Sequence, residues 1–474
     1  MIFVILLLAI ILRLISLDQS LWLDEAINVL AAKNYSFLGM ITEYAKGDFH
    51  PPGHFIILWI WTKIFGYSEI AVRMPSVIFG LLTICTVYLI GQKLHSKTSG
   101  LIAALFLAIN PLHIYYSQEA RMYAFAALAV CLNMLTFINL IKGDKDNLQN
   151  KGVYILSSIL VLSSDYVAYL IFPAQLFFIL ISRQLNYLKK WLVCFLISLV
   201  IASIWLPVFL NQLQIGLSVS ASVPAWKEVV GSFGLKPLIL TYVKFIIGRI
   251  DHPNNLAYGL LFIIPGLSFL YLIWRGIKTT SKTNKQLLLV WLLVPVMSAL
   301  LISLIIPIYS YFRLLFILPA FVILVSLGIL SFKSQLRNAL FFLVILVEII
   351  STSFYLFNPF FQREDWKGLV GYLREKTDSE ILFESTGVIS PFAYYSNNEI
   401  QATYPLIKFP AENPSDVLDL KFLLNNNKDV YLIDYLIDIS DPKRLVRKSL
   451  LDLGYREVNI KNFNGVGFVY QFRK

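Results

Sequence analysis

Charge is what this sequence has least of. Asp, Glu, Lys and Arg make up 15% of its 474 residues, against 57% hydrophobic residues. Soluble domains carry about 25% charged and about 45–50% apolar residues. The deficit excludes an ordinary cytosolic enzyme, a disordered chain and a nucleic-acid-binding domain. Cysteine is equally sparse: Cys85, Cys131 and Cys194 all lie inside apolar runs, which predicts small core residues and no disulfides. No P-loop or dinucleotide fingerprint is present, so no nucleotide cofactor is expected. The opening MIFVILLLAIILRLISL lacks a basic start and a small-residue cleavage site. It is therefore expected to stay as a first spanning helix.

What the chain does have is long apolar runs. Spanning helices need about 20 mostly apolar residues, and the candidates are 2–17, 72–92, 99–113, 120–141, 152–164, 166–182, 191–210, 257–274, 286–306, 313–331 and 338–357. The chain is thus expected to be a multi-pass α-helical membrane protein with about 11 transmembrane helices. Charge sets the orientation. With a cytoplasmic N-terminus, the inner loops are 91–98, 141–151, 182–190, 274–285 and 331–337, and each holds at least two Lys or Arg. That is the positive-inside pattern, and it accounts for much of the +11 net charge. Two longer outer loops remain, at 18–71 and 211–256. The first contains HFIILWIWTKIF, too short to span and expected to lie on the outer membrane surface.

After residue 357 the composition changes. REDWKGLVGYLREKTDSE reads as an amphipathic helix, and ILFES, DVYLIDY and VGFVYQF read as strands. The division is therefore a transmembrane module at 1–357 and a small α/β domain at 358–474, the latter outside the cytoplasm by helix count.

Polar residues beside membrane helices are costly and so informative. They gather on the outer face in four groups. In LWLDEA, Asp24 and Glu25 form an acidic pair that suits a general base or a cation site, or equally the acidic first turn of a helix. In GDFHPPGH, the prolines hold Asp48, His50 and His54 in a rigid non-helical turn. A hydrogen-bonding role for these histidines is expected ahead of a metal site, because the spacing matches no standard zinc pattern. YYSQEARMYA supplies Gln118, Glu119, Arg121 and Tyr123, and IYSYFRLLF supplies Arg313. A boundary arginine can snorkel to the interface or grip a phosphate through its forked donors. Two of them on the face that carries the acidic pair suggest a phosphate leaving group opposite a base.

SLWLDEA, HPP, SEIAVRMPSVIFGLLTICTVYLIGQKL and INPLHIYYSQEARMYA, in this order, resemble the GT-C superfamily of membrane glycosyltransferases. The similarity is to the group of protein O-mannosyltransferases and the lipid A aminoarabinose transferase (family 39-like). YFRLLFILPA and REDWKGLVGYLRE extend it. The resemblance implies a GT-C fold, a plasma-membrane location and a polyprenyl-phosphate sugar donor used on the outer face. It also implies an acidic catalytic base in the first outer loop, which falls on Asp24 with Glu25 beside it. His50, Gln118, Glu119, Arg121, Tyr123 and Arg313 are then candidates for donor phosphate and substrate binding. Many members have a Thr-His-Tyr-like sequence where this chain has SSDYVAY, with Asp165 and Tyr166. The expected activity is inverting transfer of a monosaccharide to a hydroxyl of a lipid, protein or glycan acceptor. No cofactor is expected to be required, with a divalent metal as an open alternative and no nucleic-acid partner. The rival reading is a transporter or flippase of a lipid-linked sugar, which would favour broken helices near the midplane.

Overall fold

The computed structural model describes residues 1–142, 147–222, 231, 233–252, 254–376, 379–397, 399–424 and 429–474. It contains two compact units. The first takes in Met1–Leu17 and the described residues of Tyr35–Ser220 and Lys227–Phe361; the second includes Asp18–Asn34 and Gln362–Lys474. The acidic segment after the first helix therefore belongs with the C-terminal unit, whereas the division expected at 357/358 left it with the helical one.

The first unit is helical. A helix stands at every apolar run expected to span. Among the described residues, six helices are long and apolar enough to cross a membrane, Glu69–Leu94 and Ser334–Phe357 among them; a bent pair makes a seventh. That pair is Lys97–Ile109 and Pro111–Ser117, which meet at 64°. The bend has a local cause. Asn110 caps the second helix by accepting from His113 N at 3.1 Å, and Pro111 stands at its first position. The Asn110 amide donates to Phe245 O and to Glu348 Oε1 at 2.9 and 3.2 Å, so the break has partners inside the protein.

Close helix contact elsewhere depends on small residues. An added Cβ at Gly276 would lie 2.3 Å from Leu324 O, and one at Gly328 would lie 2.0 Å from Leu272 O. The helices Asn255–Thr279 and Leu318–Leu330 consequently touch backbone to backbone.

Gly53–Phe65 is a helix of 13 residues, about 20 Å long at 1.5 Å per residue. That is short of the roughly 30 Å hydrocarbon core. The stretch 211–256, expected to be a loop, is largely helical: Leu206–Ser222 runs into it, and Leu235–Ile247 and the start of Asn255–Thr279 lie inside it. Hydropathy missed Leu235–Ile247 because 13 residues give no spanning signal. Residues 223–230, 232 and 253 of that stretch, and 143–146 of one inner loop, lie outside the described residues.

The second unit is built on a four-stranded sheet of order β1-β2-β4-β3. The strands are β1 Glu380–Phe383, β2 Asp429–Ile433, β3 Arg456–Phe463 and β4 Gly467–Arg473. β1 and β2 are parallel, while β2–β4 and β4–β3 are antiparallel. One face packs Ile381, Phe383, Tyr431 and Val469 against the helix Trp366–Arg374. The other packs Leu382, Val430, Leu432 and Phe472 against Leu445–Asp452. Three of these strands match the expected apolar runs. β3 does not, because as an edge strand it leaves most of REVNIKNF exposed and lacks an apolar signature.

Asp18–Asn34 is fastened to this unit by named bonds. Leu21 N donates to the Tyr395 hydroxyl (2.7 Å), Arg363 N to Gln19 Oε1 (2.9 Å) and Lys367 N to Ser20 Oγ (3.1 Å). Leu23 packs against the cluster that contains Trp366.

Candidate active site

Two centres hold the expected residues, one in each unit. In the second unit, Asp24 and Glu25 both lie in the first turn of the helix Leu23–Asn34, where the helix dipole favours negative charge. The two differ in their surroundings. Glu25 is 0% exposed and its Oε2 accepts from Trp22 N at 3.4 Å, so it serves the helix start. Asp24 is half-buried.

A further buried carboxylate of this unit is Glu364, which the sequence left inside the REDW motif without a role. Its oxygens accept from Trp366 Nε1 at 2.6 Å and from the Tyr435 hydroxyl at 3.2 and 3.3 Å. Burial pushes the Glu364 carboxyl up to about 7, and the charge of Asp24 adds to that rise against the indole and phenol hydrogen bonds. Any signal for Glu364 in the sequence was slight: it stands two residues before a buried tryptophan at the head of an amphipathic helix.

In the first unit the GDFHPPGH turn forms a second centre. Asp48 Oδ1 lies 2.5 Å from His50 Nδ1 and accepts from Phe49 N at 2.6 Å. Burial would raise the Asp48 carboxyl. The charge and hydrogen bond of His50 and the charge of Arg121 outweigh it and hold Asp48 well below its ordinary value. Arg121 is thus electrostatically coupled to the histidine turn. It is 5% exposed, and its carbonyl accepts from Ser76 Oγ at 3.5 Å.

Two further segments fix this turn. Gln212 donates to Ala45 O and His50 O at 2.5 and 3.2 Å and accepts from the Tyr166 hydroxyl at 2.5 Å. Trp205 Nε1 donates to the same hydroxyl at 2.9 Å. Tyr166, where the chain departs from the Thr-His-Tyr-like pattern, therefore braces the turn by way of Gln212. Beyond the prolines, a Cβ on Gly53 would meet Ser163 O at 2.5 Å and Phe125 at 2.9 Å, so only glycine lets the turn lie against the helix Leu148–Ser164.

Tyr123 and Arg313 are linked by aromatic packing. The Phe312 ring lies 5.3 Å from that of Tyr123 and 6.1 Å from that of Tyr116, which draws the segment with Arg313 toward the one with Arg121. Gln118 is committed to structure. Its amide donates to Arg13 O (3.0 Å) and Ile15 O (2.7 Å), and its carbonyl accepts from the Tyr355 hydroxyl at 2.7 Å. Glu119 is buried beside it.

Sequence reasoning passed over Arg13, fully buried with Nη2 2.7 Å from His113 Nδ1. It also passed over Arg249, whose guanidinium stacks 4.5 Å above the Tyr115 ring. Arg249 lies in the stretch that gave no clear pattern. Among the described residues, no group of three or more His, Cys, Asp or Glu is placed to hold a metal ion.

The family described as dolichyl-phosphate-mannose-protein mannosyltransferase matches residues 49–207. No curated protein matches the chain. Among solved structures, ArnT from Cupriavidus metallidurans bound to undecaprenyl phosphate aligns at a TM-score of 0.58 and 10% identity, over 99% of this chain and 97% of that one. The chain has the GT-C fold. A second GT-C structure agrees: the AglB oligosaccharyltransferase from Archaeoglobus fulgidus, in complex with an inhibitory peptide and a dolichol-phosphate. It gives a TM-score of 0.53 at 15% identity, over 99% of this chain and 74% of that one. The matched family region covers His50, Arg121 and Tyr166 of this chain. It begins after Asp24 and ends before Arg313.

Proposed function

We propose that the chain is an inverting glycosyltransferase that moves one sugar from a polyprenyl-phosphate donor to a hydroxyl of a lipid, protein or glycan acceptor of the cell envelope. The observation that supports this most is Arg121, a buried arginine whose charge acts on Asp48 of the HPP turn, in a chain of GT-C fold. Such a group is set to bind a phosphate whose negative charge grows as the sugar leaves. The named ligands of the two solved relatives, undecaprenyl phosphate and dolichol-phosphate, have the same polyprenyl-phosphate chemistry.

In this reading Asp24 takes the proton of the acceptor hydroxyl. The acceptor oxygen bonds to the anomeric carbon from the side opposite the phosphate, and the carbon–oxygen bond to the phosphate breaks. Polyprenyl phosphate leaves with the electron pair, steadied by Arg121 and Arg313, and the anomeric configuration inverts. The scheme uses no cofactor. Chelation with EDTA tests the alternative of a divalent ion.

The same reading takes the protein to be a plasma-membrane protein of about eleven spans. The N-terminus and the lysine-rich loops are cytoplasmic, Gly53–Phe65 lies along the outer surface, and the C-terminal domain is outside.

Purified full-length protein in nanodiscs, given radiolabelled polyprenyl-phosphate sugars and envelope extract, is expected to release polyprenyl phosphate and label an acceptor. A transporter or flippase moves the donor with its sugar–phosphate bond intact, and that outcome overturns the proposal.

A further inference from the structure

We propose that Arg13 is a positioning residue for Arg121: its guanidinium locks the break between Lys97–Ile109 and Pro111–Ser117, and so sets the place of the turn that carries Arg121. This rests on the reading of Arg121 as the group that binds the donor phosphate.

A fully buried arginine on the apolar helix Ile2–Leu14 is costly unless something takes its donors. Arg13 has partners in three segments. Nη1 donates to Ala9 O of its own helix at 3.1 Å and to Ala108 O at 3.0 Å. Nη2 donates to Leu107 O at 3.4 Å and to His113 Nδ1 at 2.7 Å. A helix leaves its last carbonyls without partners of its own, and a break inside a membrane protein has no lipid-side water to serve them. Arg13 takes those of Leu107 and Ala108, and Thr352 Oγ1 takes that of Ile109 at 2.7 Å. Because arginine only donates, His113 Nδ1 is the acceptor and Nε2 carries the proton. One planar guanidinium thus bridges the end of one helix and the start of the next.

The far end of the short helix is tied to the same residue. Gln118, which follows Pro111–Ser117, donates from its amide to Arg13 O at 3.0 Å and to Ile15 O at 2.7 Å. Arg13 therefore holds this helix at His113 by its side chain and just past Ser117 by its backbone. The helix Glu69–Leu94 closes the slot: a Cβ on Gly80 would lie 2.3 Å from Ser117 Oγ and 3.3 Å from Arg13 Nε. From Gln118 the chain turns through 118–122 into Tyr123–Lys142. Within that turn His54 Nε2 lies 3.1 Å from Ala120 O, and Arg121 comes next. With Gln118 and Ala120 both held, the place of Arg121 follows from where Arg13 sets the short helix. A phosphate clamp tolerates little error, since a misplacement of about 1 Å can cost about a hundredfold. Lysine keeps the charge but offers a single point in place of the fork that bridges both helices.

Full-length wild type, Arg13→Lys, His113→Asn, His113→Leu, Arg121→Lys and the double variant Arg13→Lys with Arg121→Lys are compared in nanodiscs. The readouts are affinity for undecaprenyl phosphate, thermal stability, and backbone amide exchange over 118–123. Arg13→Lys is expected to weaken binding about tenfold and to speed exchange over 118–123, with exchange in Leu148–Ser164 as in the wild type. His113→Asn keeps an acceptor near the place of Nδ1 and should bind as the wild type does. His113→Leu lacks that acceptor and should follow Arg13→Lys; it decides the matter if Arg13→Lys does not fold. On top of Arg121→Lys, Arg13→Lys should weaken binding little further, because it acts through Arg121, whereas independent effects would add. A cap that only stabilises the break lowers the melting temperature and leaves affinity within a factor of two of the wild type. That result in Arg13→Lys and His113→Leu overturns the proposal, as does unchanged exchange over 118–123 or a full further tenfold loss in the double variant. Unchanged affinity in Arg121→Lys instead overturns the phosphate reading of Arg121, while exchange over 118–123 still reports whether Arg13 holds the turn.

Discussion

His54 Nε2 lies 3.1 Å from the carbonyl oxygen of Ala120, the residue before Arg121. Burial, with the charge of Arg121 adding to it, pushes the His54 ring down to about 3. The neutral ring therefore donates this bond through its Nε2–H. One hydrogen bond joins the HPPGH turn to the backbone that carries the candidate phosphate arginine.

Removing that bond should show in both stability and donor binding. His54→Ala strands a buried carbonyl, a loss of about 1–3 kcal/mol. We expect a lower melting temperature and several-fold weaker donor binding, with His54→Gln milder because its amide can still donate. Thermal melts and donor titrations of the three proteins check this, and unchanged donor affinity in His54→Ala would remove His54 from the support of Arg121.

Asp24→Asn is expected to abolish turnover and keep donor binding, because it removes the base without changing shape. Glu25→Gln should retain most turnover and lower thermal stability slightly, since Glu25 is buried and accepts a backbone hydrogen bond. Single-turnover assays of the pair assign the base, and the opposite result would move it to Glu25.

Lysine keeps the charge and the snorkelling of arginine and loses its planar fork. If Arg121 and Arg313 grip the donor phosphate, Arg121→Lys and Arg313→Lys should each weaken donor affinity about ten- to a hundredfold. That corresponds to about 1.5–3 kcal/mol for a charge-assisted hydrogen bond. Apparent acceptor affinity should hardly move. Donor affinity within a factor of two in both variants would leave the arginines as membrane anchors.

Glu364 also gives the fold a pH dependence with a definite sign. Its carboxyl releases its proton near pH 7 in the folded protein, against an ordinary value of 4.5. Between these values the folded protein holds a proton that the unfolded chain has lost, so this group's contribution to stability falls as pH rises and levels off above 7. Below about 4.5 it is protonated in both states and contributes nothing. Melting temperatures of wild type and Glu364→Gln should therefore converge at low pH and separate by pH 8, with the variant higher. Parallel curves would contradict the burial of this carboxyl.

Reporter fusions at residue 184 and residue 280 should read as cytoplasmic, and a fusion at the C-terminus as outside. The Lys and Arg pattern of the short loops motivates this. A cytoplasmic C-terminus would mean an even number of spans, with Gly53–Phe65 the first helix to reconsider.

The sequence by itself determined the helices of the first unit and most of the second unit's sheet. A chain crossing lipid must satisfy its own backbone, so every spanning helix is written as an apolar run. β1, β2 and β4 are inner or covered strands and read the same way. Asp24, His50, Arg121 and Arg313 stood out because polar groups beside such runs are costly. Tertiary structure alone decided what these residues meet. Gln212 reaches His50 across 162 residues, and Tyr435 reaches Glu364 across 71. No local pattern encodes such pairs, because hydropathy and helical periodicity constrain neighbours within a few turns. The approach of distant side chains depends on how whole elements pack. For the same reason Glu25, Asp24's neighbour in sequence, turned inward to the start of its helix while Asp24 stayed half-buried.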